Sequence, residues 1–254
     1  MKAIVIIPAR YASTRFQGKP LAPLLGKPMI QWTYESAQKA TTIDQTMVAT
    51  DDERICTAVR RFGGNAVMTS PDHPSGTDRL AEVARNLDCE IVVNVQGDEP
   101  LIRPEMIDDV IAVLDDKRAS LGTLVKRIDN PDEITDPNVV KVVFDPEMFA
   151  LYFSRAPMPF HRDDWKIRDC RFQIAESSLF EVYKHIGIYS YRREALIAFS
   201  GMRPTRLEQT EKLEQLRALE HGMKIKVRET FFETYGVDTP EDLERVEKWL
   251  STSL

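Results

Sequence analysis

The sequence predicts an α/β fold: a doubly wound, mainly parallel sheet with a smaller β-rich subdomain. Two observations support this prediction. Strand-like apolar runs alternate with amphipathic helical segments over the first 115 residues, and beyond residue 120 strand-like runs follow one another with little helix between them. Such alternation is typical of parallel strands joined by crossover helices. A length of 254 residues suits one large domain, so we assign residues 1–254 to a single domain with residues ~140–200 as its β-rich part.

Each element of the first half follows from a local pattern. The run AIVIIPA at residues 3–9 is apolar on both faces, as in a central strand covered by helices. Asp51 or Asp52 can cap a helix that extends to about residue 62, and Gly63-Gly64 can end it. The other strands are expected at residues 46–50, at 65–70 and in EIVVNVQGDEP (90–100), stopping at Gly97; the other helices are expected at 28–39, 75–87 and 104–115.

The second half is predicted to be richer in strands. The polar stretch at residues 163–178 has no regular pattern and is expected to be a mobile loop. An amphipathic helix is predicted at residues 207–221, where leucines recur every three residues, and a closing helix at residues 240–250. The strands are expected at residues 120–127, 139–145, 150–156, 183–192 and 224–229.

Composition excludes several classes of protein. The net charge of −6 and the pI of about 5.4 argue against a generic nucleic-acid binder. Cys56, Cys89 and Cys170 are far apart and form no CxxC pair, which fits a reducing compartment and gives no zinc-site spacing. The first apolar run is too short for a signal-peptide core or a membrane span. We therefore expect a soluble cytoplasmic protein without a membrane partner.

Three cations follow the first predicted strand, in PARYASTRFQGKP. Arg10, Arg15 and Lys19 stand among small residues, and Gly18 would let the backbone approach a ligand. Ligands of open parallel sheets bind outside the carboxyl ends of the strands. Cations and backbone N–H groups there suit a triphosphate, although Pro20 after Gly-Lys excludes a Walker A loop. An ordinary solvated loop is the alternative.

Two aspartates are candidate metal ligands. Asp98 ends the strand string NVQGDEP, where a carboxylate can hold Mg²⁺ against a phosphate. Asp238, in YGVDTPEDLERV, can do the same only if its loop folds back beside Asp98. The alternatives are a plain turn for the first string and a helix cap for the second.

Polar residues of the second half could bind a sugar acid. His185 and Tyr189 lie on one face of the predicted strand, so both could reach one pocket. Cations for a carboxylate and hydrogen-bonding groups for hydroxyls are what such a ligand requires. The cluster comprises Arg155, Arg162, Tyr183, Lys184, His185 and Tyr189.

Two helical strings remain ambiguous from their residues alone. Ser75 and Gly76 could contact a ribose or a base, or simply begin a helix. Glu211, Glu214 and Gln215 are most simply solvated side chains of the helix predicted at 207–221.

In their order and spacing, these strings resemble the 3-deoxy-manno-octulosonate cytidylyltransferase (CMP-Kdo synthetase) family over nearly the whole chain. The resemblance implies a nucleotide-diphospho-sugar transferase-like fold and a homodimer, with residues ~140–200 in sugar binding and dimerisation. It also implies a reaction in which CTP and 3-deoxy-D-manno-octulosonate (Kdo) give CMP-Kdo and pyrophosphate, with Mg²⁺ as cofactor. The strings are IPARYASTRFQGKPL, VATDDERI, SGTDRLAEV, VNVQGDEPLI, ALYFSRAPMPF, YKHIGIYSYR, EKLEQLRALEHG and GVDTPEDLERV.

The resemblance assigns roles by matching motif. The catalytic residues that it implies are Lys19, Arg10, Arg15 and Asp98. The Mg²⁺ ligands that it implies are Asp98 and Asp238. The nucleotide-binding residues are Ala9, Arg10, Arg15, Lys19, Ser75, Gly76, Arg79 and Gln96. The Kdo-binding residues are Gln96, Arg155, His185, Tyr189, Glu214 and Gln215.

Three other functions remain open at this point. The sugar acid could be a close relative of Kdo, such as its 8-amino analogue or a neuraminate, because few pocket residues can decide between them. A regulatory nucleotide-binding protein should lack a metal carboxylate or a phosphate cation, and a glycosyltransferase usually has a DxD site.

The chain departs from the family pattern at Gln17, where a proline is expected before Gly18.

Overall fold

The computed structural model of the protein describes residues 2–12, 16–163, 165–168, 171–173 and 182–253. The strands are β1 (Ala3–Ala9), β2 (Pro23–Leu24), β3 (Lys27–Pro28), β4 (Gln45–Thr50), β5 (Ala66–Met68), β6 (Ile91–Asn94), β7 (Leu121–Arg127), β8 (Lys141–Phe144), β9 (Ala150–Ser154), β10 (Lys166–Arg168), β11 (Arg171–Gln173), β12 (Tyr183–Arg192) and β13 (Ile225–Glu229). The α-helices are α1 (Met29–Ala37), α2 (Glu53–Arg61), α3 (Gly76–Arg85), α4 (Pro104–Ala112), α5 (Asp132–Thr135), α6 (Arg193–Ser200), α7 (Arg206–Glu211), α8 (Gln215–Glu220) and α9 (Pro240–Ser253). Short 3-10 helices lie at Lys19–Leu21 and Val113–Asp115.

The chain forms two compact units. The first consists of Met1–Ala112, Ile188–Ser200 and Glu233–Leu254, and the second of Val113–Gly187 and Gly201–Phe232. Strand β12 therefore contributes its last five residues to the first unit and its first five to the second.

The first unit contains the parallel sheet that the sequence predicts. Strand β1 is parallel to β4 on one side and to β6 on the other, and β4 is parallel to β5. The end of β12 is antiparallel to β6, with Tyr189 opposite Asn94. Six of the seven residues of β1 are buried, as expected for a central strand covered on both faces.

Local capping explains where two helices of this unit begin. The Asp52 carboxylate accepts a hydrogen bond from the Arg54 N–H at 2.9 Å and so caps α2. Ser75 does the same for α3 through the Asp78 N–H at 3.1 Å. Gly63 follows α2 with a φ of +84°, a conformation that favours glycine.

A small apolar cluster anchors the C-terminal helix. Val246 and Leu250 of α9 pack with Val237, which precedes the helix, and with Met29 of α1. Because Val237 is fully buried in this cluster, its neighbour Asp238 is held at a defined place.

The second unit is richer in strands than in helices. Strand β7 is parallel to β13, whereas β8 is antiparallel to β9 and to the first residues of β12. A separate apolar cluster contains Ile128, Ile134, Trp165 and Val182. The predicted β-rich part at residues ~140–200 overlaps this unit, which begins earlier and includes residues 201–232.

Three predicted elements differ in the structure. The helix expected at residues 207–221 is two helices, because Lys212 adopts a left-handed conformation (φ +56°) that ends α7. The stretch expected to be a loop at residues 163–178 contains the antiparallel pair β10–β11 among its described residues. The strand expected to reach Gly97 ends at Asn94, since the chain then turns, with the Glu99 N–H donating to the Gln96 carbonyl at 3.2 Å.

Candidate active site

A cavity of about 200 Å³ lies at the carboxyl end of β1 in the first unit. Five of the predicted site residues line it: Ala9, Arg10, Lys19, Gln96 and Asp98. The structure thus brings two cations of the first loop, Arg10 and Lys19, together with the carboxylate that follows β6, as expected for residues at the ends of neighbouring parallel strands.

Glycine permits this close approach. An added Cβ at Gly97 would lie 2.9 Å from the carbonyl oxygen of Pro8 and 3.1 Å from Ile30 Cδ1. Strands β1 and β6 run side by side with Ile6 opposite Asn94. The turn after β6 can therefore bring Asp98 to the loop after β1 only where no side chain intervenes.

Lys19 joins the two predicted metal ligands. Its Nζ lies 2.6 Å from Asp98 Oδ2 and 3.2 Å from Asp238 Oδ1. The Lys19 side chain is 14% exposed, against 31% for Asp98 and 49% for Asp238. The loop of Asp238 does fold back beside Asp98, because the Val237 N–H donates to the Asp98 carbonyl at 2.9 Å.

The start of α9 shows that Asp238 is not needed as a helix cap. The Asp242 carboxylate accepts hydrogen bonds from the N–H groups of Asp238 and Thr239, at 3.1 and 2.9 Å. The Thr239 hydroxyl in turn accepts from the Asp242 N–H at 3.2 Å. The Asp238 side chain is thereby directed to Lys19 rather than to the helix.

The donor set suits Mg²⁺. Two carboxylates converge on one cationic group, and carboxylate oxygens are the ligands Mg²⁺ prefers, with the remaining positions filled by water and substrate phosphates. Among the described residues there is no group of three or more His, Cys, Asp or Glu side chains that could form an all-protein cage. Beside this pair, burial and then the charge of Asp98 raise the pKa of Glu99 to about 8, although the residue as a whole is half-buried.

Arg10 is held by the loop that precedes α3. Its guanidinium Nη2 donates to the His73 carbonyl, and the His73 ring is paired with the Glu82 carboxylate. Glu82 also accepts from the Ser70 N–H at 3.0 Å, and the hydrogen bond from His73 is the main cause that lowers the pKa of Glu82. The third predicted cation, Arg15, lies outside the described residues.

The residues predicted to contact cytidine differ from one another in their contacts and in their burial. Ser75 caps α3 and donates to Asp78 Oδ2 at 2.7 Å, and a Cβ at Gly76 would touch Pro8 at 3.4 Å. Arg79 is fully buried and donates to Asp51 Oδ2 at 2.9 Å and to the Thr69 hydroxyl. It does not line the cavity at β1, so its contact with cytidine stays a prediction.

In the second unit, His185 is a neutral hydrogen-bonding group. Its Nε2 lies 2.9 Å from the Thr123 hydroxyl, and its ring packs edge-on against Phe153 at 5.2 Å. Burial lowers the pKa of His185 to about 3. Near pH 7 this imidazole can donate or accept a hydrogen bond but supplies no positive charge.

Arg155 is oriented mainly by backbone oxygens. It donates to the Glu211 carbonyl at 2.8 Å and to the Pro137 carbonyl at 2.7 Å. Glu211 also accepts from the Ser154 hydroxyl at 2.6 Å and from the Arg155 N–H at 3.0 Å. The simple expectation that Glu211 is solvated is therefore wrong, because its carboxylate anchors the end of β9.

The turn between α7 and α8 places the two remaining predicted sugar ligands. Gln215 is only 8% exposed, and Glu214 is half-buried, 3.7 Å from an Arg217 nitrogen. The expectation of solvated side chains is wrong for Gln215, because Lys212 breaks the predicted helix and turns this segment inward.

Two predicted ligands of the sugar belong to the first unit. Gln96 Nε2 donates to Asn94 Oδ1 at 3.2 Å, and the Asn94 backbone pairs with Tyr189 of β12. Tyr189 also lies beside the Tyr191 ring, with 5.9 Å between the ring centroids. The binding of one sugar molecule by the six predicted residues stays a prediction; they are Gln96, Arg155, His185, Tyr189, Glu214 and Gln215.

Two residues without a site role predicted from the sequence support predicted site residues. Asp51 is the carboxylate partner of buried Arg79, and Glu82 holds the loop that binds Arg10. Asp51 follows strand β4 directly, and this position at a strand end is the signal that the sequence offers for it. Nothing in the sequence distinguishes Glu82 from an exposed helix residue.

Cations and a carboxylate at the carboxyl ends of neighbouring parallel strands are the arrangement with which α/β proteins of the nucleotide-binding class hold their ligands. A sequence model described as Cytidylyltransferase matches residues 4–225. The chain belongs to the cytidylyltransferase family.

Individual relatives extend the similarity to almost the whole chain. A protein of Geotalea daltonii named 3-deoxy-manno-octulosonate cytidylyltransferase is 57% identical over 247 residues, which are 97% of each chain. The protein of that name from Geobacter metallireducens is 56% identical over 252 residues, 99% of this chain. A solved structure described as CMP:2-keto-3-deoxy-manno-octonic acid synthetase complexed with CTP superposes with a TM-score of 0.91 and 42% identity, covering both chains fully. The resemblance and the fold class predicted from the sequence are confirmed.

Proposed function

We propose that this protein is the enzyme that joins CTP and Kdo to give CMP-Kdo and pyrophosphate, activating Kdo for lipopolysaccharide synthesis. The single observation that carries the proposal is the full-length similarity to a CMP-Kdo synthetase structure that contains CTP. The cavity at β1 supports it, because Arg10, Lys19 and Asp98 meet there.

The reaction needs positioning and charge rather than covalent help. The 2-hydroxyl oxygen of Kdo attacks the α-phosphorus of CTP in line, a P–O bond forms, and the bond to the pyrophosphate oxygen breaks. Arg10 and Lys19, with Arg15, would neutralise the triphosphate and stabilise the charge that collects on the leaving pyrophosphate. The carbonyl of His73 keeps the Arg10 guanidinium in place for this task.

Asp98 and Asp238 would hold Mg²⁺. Bound there, the ion would supply a positive charge beside the α-phosphate and lower the pKa of the sugar hydroxyl. The shared ion pair with Lys19 supports this assignment, because it shows that both carboxylates point to one place.

The remaining predicted residues divide between the two substrates. Ala9, Ser75, Gly76, Arg79 and Gln96 are proposed for the nucleotide. Gln96 again, with Arg155, His185, Tyr189, Glu214 and Gln215, is proposed for Kdo. The neutral His185 would bind sugar hydroxyls, and the Arg155 guanidinium would bind the carboxylate.

We further propose a cytoplasmic homodimer without nucleic-acid or membrane partners. The acidic composition supports the absence of nucleic acid. Within the described part of the chain, no helix combines the length and the hydrophobicity needed to cross a bilayer.

The test is pyrophosphate release with CTP and Mg²⁺, comparing Kdo, 8-amino-Kdo and N-acetylneuraminate in parallel. Release with Kdo at a kcat/KM at least about ten times that of the others is expected. Faster release with another sugar acid would change the substrate, and no release with any of them would overturn the proposal.

A further inference from the structure

We propose that Tyr11 and Arg54 are positioning residues for the triphosphate of CTP. Together they clamp the loop that carries Arg10 at one end and Lys19 at the other. This inference rests on the proposed function, since it assumes that the loop receives CTP. Neither residue lines the cavity at β1.

The first contact of the clamp joins Tyr11 to Gly18. The Gly18 N–H donates to the Tyr11 carbonyl at 2.9 Å, which closes the loop. A Cβ at Gly18 would lie 3.1 Å from Cζ of the Tyr11 ring and 3.2 Å from its hydroxyl oxygen. Gly18 has a φ of +72°, and a side chain there would push against the Tyr11 ring, so both the backbone conformation and the neighbouring ring favour glycine.

The second contact joins the same ring to helix α2. The Arg54 guanidinium carbon lies 3.3 Å from the centroid of the Tyr11 ring. A planar guanidinium stacks well on an aromatic face, whereas an ammonium ion lacks the flat surface. The Tyr11 ring is therefore in contact with both Gly18 and Arg54.

The Asp52 carboxylate fixes the orientation of the guanidinium. Arg54 Nε donates to Asp52 Oδ1 at 2.9 Å and Arg54 Nη2 donates to Asp52 Oδ2 at 2.6 Å, a bidentate pair. Asp52 is itself immobilised as the cap of α2. Asp52 and Arg54 at the start of α2 thus position the Tyr11 ring, and this ring packs against Gly18 of the loop.

The position of the clamp in the chain gives it a functional consequence. Tyr11 follows Arg10 directly, and Gly18 precedes Lys19 directly. Fixing residues 11 and 18 sets the distance between the two cations before the nucleotide arrives. Because preorganised charge binds phosphate without the cost of ordering the loop, the clamp should strengthen CTP binding.

The experiment measures steady-state kinetics and CTP binding by calorimetry, in the presence of Mg²⁺, for Tyr11→Leu and Arg54→Leu. We expect the Kd and KM for CTP to rise about ten-fold for Tyr11→Leu and about three-fold for Arg54→Leu. The KM for Kdo and the Tm should stay near the wild-type values, a split that a general loss of folding would not produce. Tyr11→Phe should restore most of the affinity, and Arg54→Lys only part of it.

Arg60→Leu is the matched control, because it removes the same charge from the same helix, where Arg60 has a 3.7 Å pair with Glu53. CTP affinity should be unchanged in this variant. The double variant of Tyr11 and Arg54 should bind CTP no more weakly than Tyr11→Leu alone, since the two act through one contact. Unchanged CTP affinity in both single variants, or an equal loss in Arg60→Leu, would overturn the inference. If the wild type binds CTP but does not turn over Kdo, the proposed function fails while the clamp is still tested by binding.

Discussion

The cavity at the end of β1 holds its polar groups in a different way from the surroundings of His185 and Arg155 in the second unit. At β1, Lys19, Asp98 and Asp238 form ion pairs and stay partly exposed. In the second unit, His185 is neutral and Arg155 is bound by backbone carbonyls. The first arrangement suits a ligand of high charge that arrives with its own counterion. The second suits a ligand that is recognised mainly by the direction of its hydrogen bonds.

The largest effect is expected for Asp98→Asn, which keeps the shape of the side chain and removes its charge. Turnover should fall by about 10³-fold, with the Tm little changed, because a neutral amide is a poor Mg²⁺ ligand. Asp238→Asn is the internal comparison. Its longer contact with Lys19 and greater exposure predict a smaller loss. Near-normal turnover of Asp98→Asn at saturating Mg²⁺ would contradict the role of Asp98 as a Mg²⁺ ligand, and with it the contrast between a charged site at β1 and a neutral one in the second unit.

Gly97→Ala should damage the same region through the backbone. The new methyl group would lie 2.9 Å from the Pro8 carbonyl oxygen, so the turn that carries Asp98 must move. We expect turnover to fall at least about ten-fold and the free energy of unfolding to fall by about 1–3 kcal/mol. Gly26→Ala is the comparison for turnover, because no atom lies within 4 Å of an added Cβ there and Gly26 does not line the cavity at β1; its φ of +79° makes that variant lose stability without blocking the site. Equal turnover in the two variants would contradict the close approach.

Arg155→Leu should lower both the stability of the second unit and the affinity for the sugar. The substitution leaves the carbonyls of Glu211 and Pro137 without their donors. Urea denaturation should show a loss of about 1–3 kcal/mol in the free energy of unfolding. The KM for Kdo should rise while the Kd for CTP stays constant. A higher Kd for CTP with an unchanged KM for Kdo would show that Arg155 binds the nucleotide and not the sugar.

The smallest effect concerns the charge of His185. Its depressed pKa predicts that NMR will show no protonation of this imidazole between pH 8 and pH 5. Between about pH 6.5 and pH 3 the unfolded chain binds a proton at this residue that the folded chain does not, so the free energy of unfolding should decrease as the pH falls. His185→Gln should lose less stability over that range. A His185 titration near pH 6.5 would contradict the assignment of this half-buried imidazole as neutral.

The sequence predicted the first region better than the second, and particular residues show why. Arg10, Lys19 and Asp98 follow strands of a parallel sheet, and a general rule brings such strand ends together. Gln215 and Glu211 were expected in solvent because leucine spacing predicts one straight helix, whereas Lys212 takes a left-handed conformation that few lysines adopt. Partners such as Asp51 for Arg79, or Arg54 for Tyr11, depend on contacts between segments far apart in the chain, which no local pattern encodes.

Calorimetric titration of CTP, with Mg²⁺ and without Kdo, tests whether the triphosphate binds at the end of β1 when Lys19→Ala is compared with Lys39→Ala. Both variants lose one lysine of the first unit, but Lys39 is exposed and lies outside the cavity at β1. We expect Lys19→Ala to weaken CTP binding at least about ten-fold and Lys39→Ala to bind CTP like the wild type. Equal affinities in the two variants would contradict the placement of the triphosphate at the end of β1.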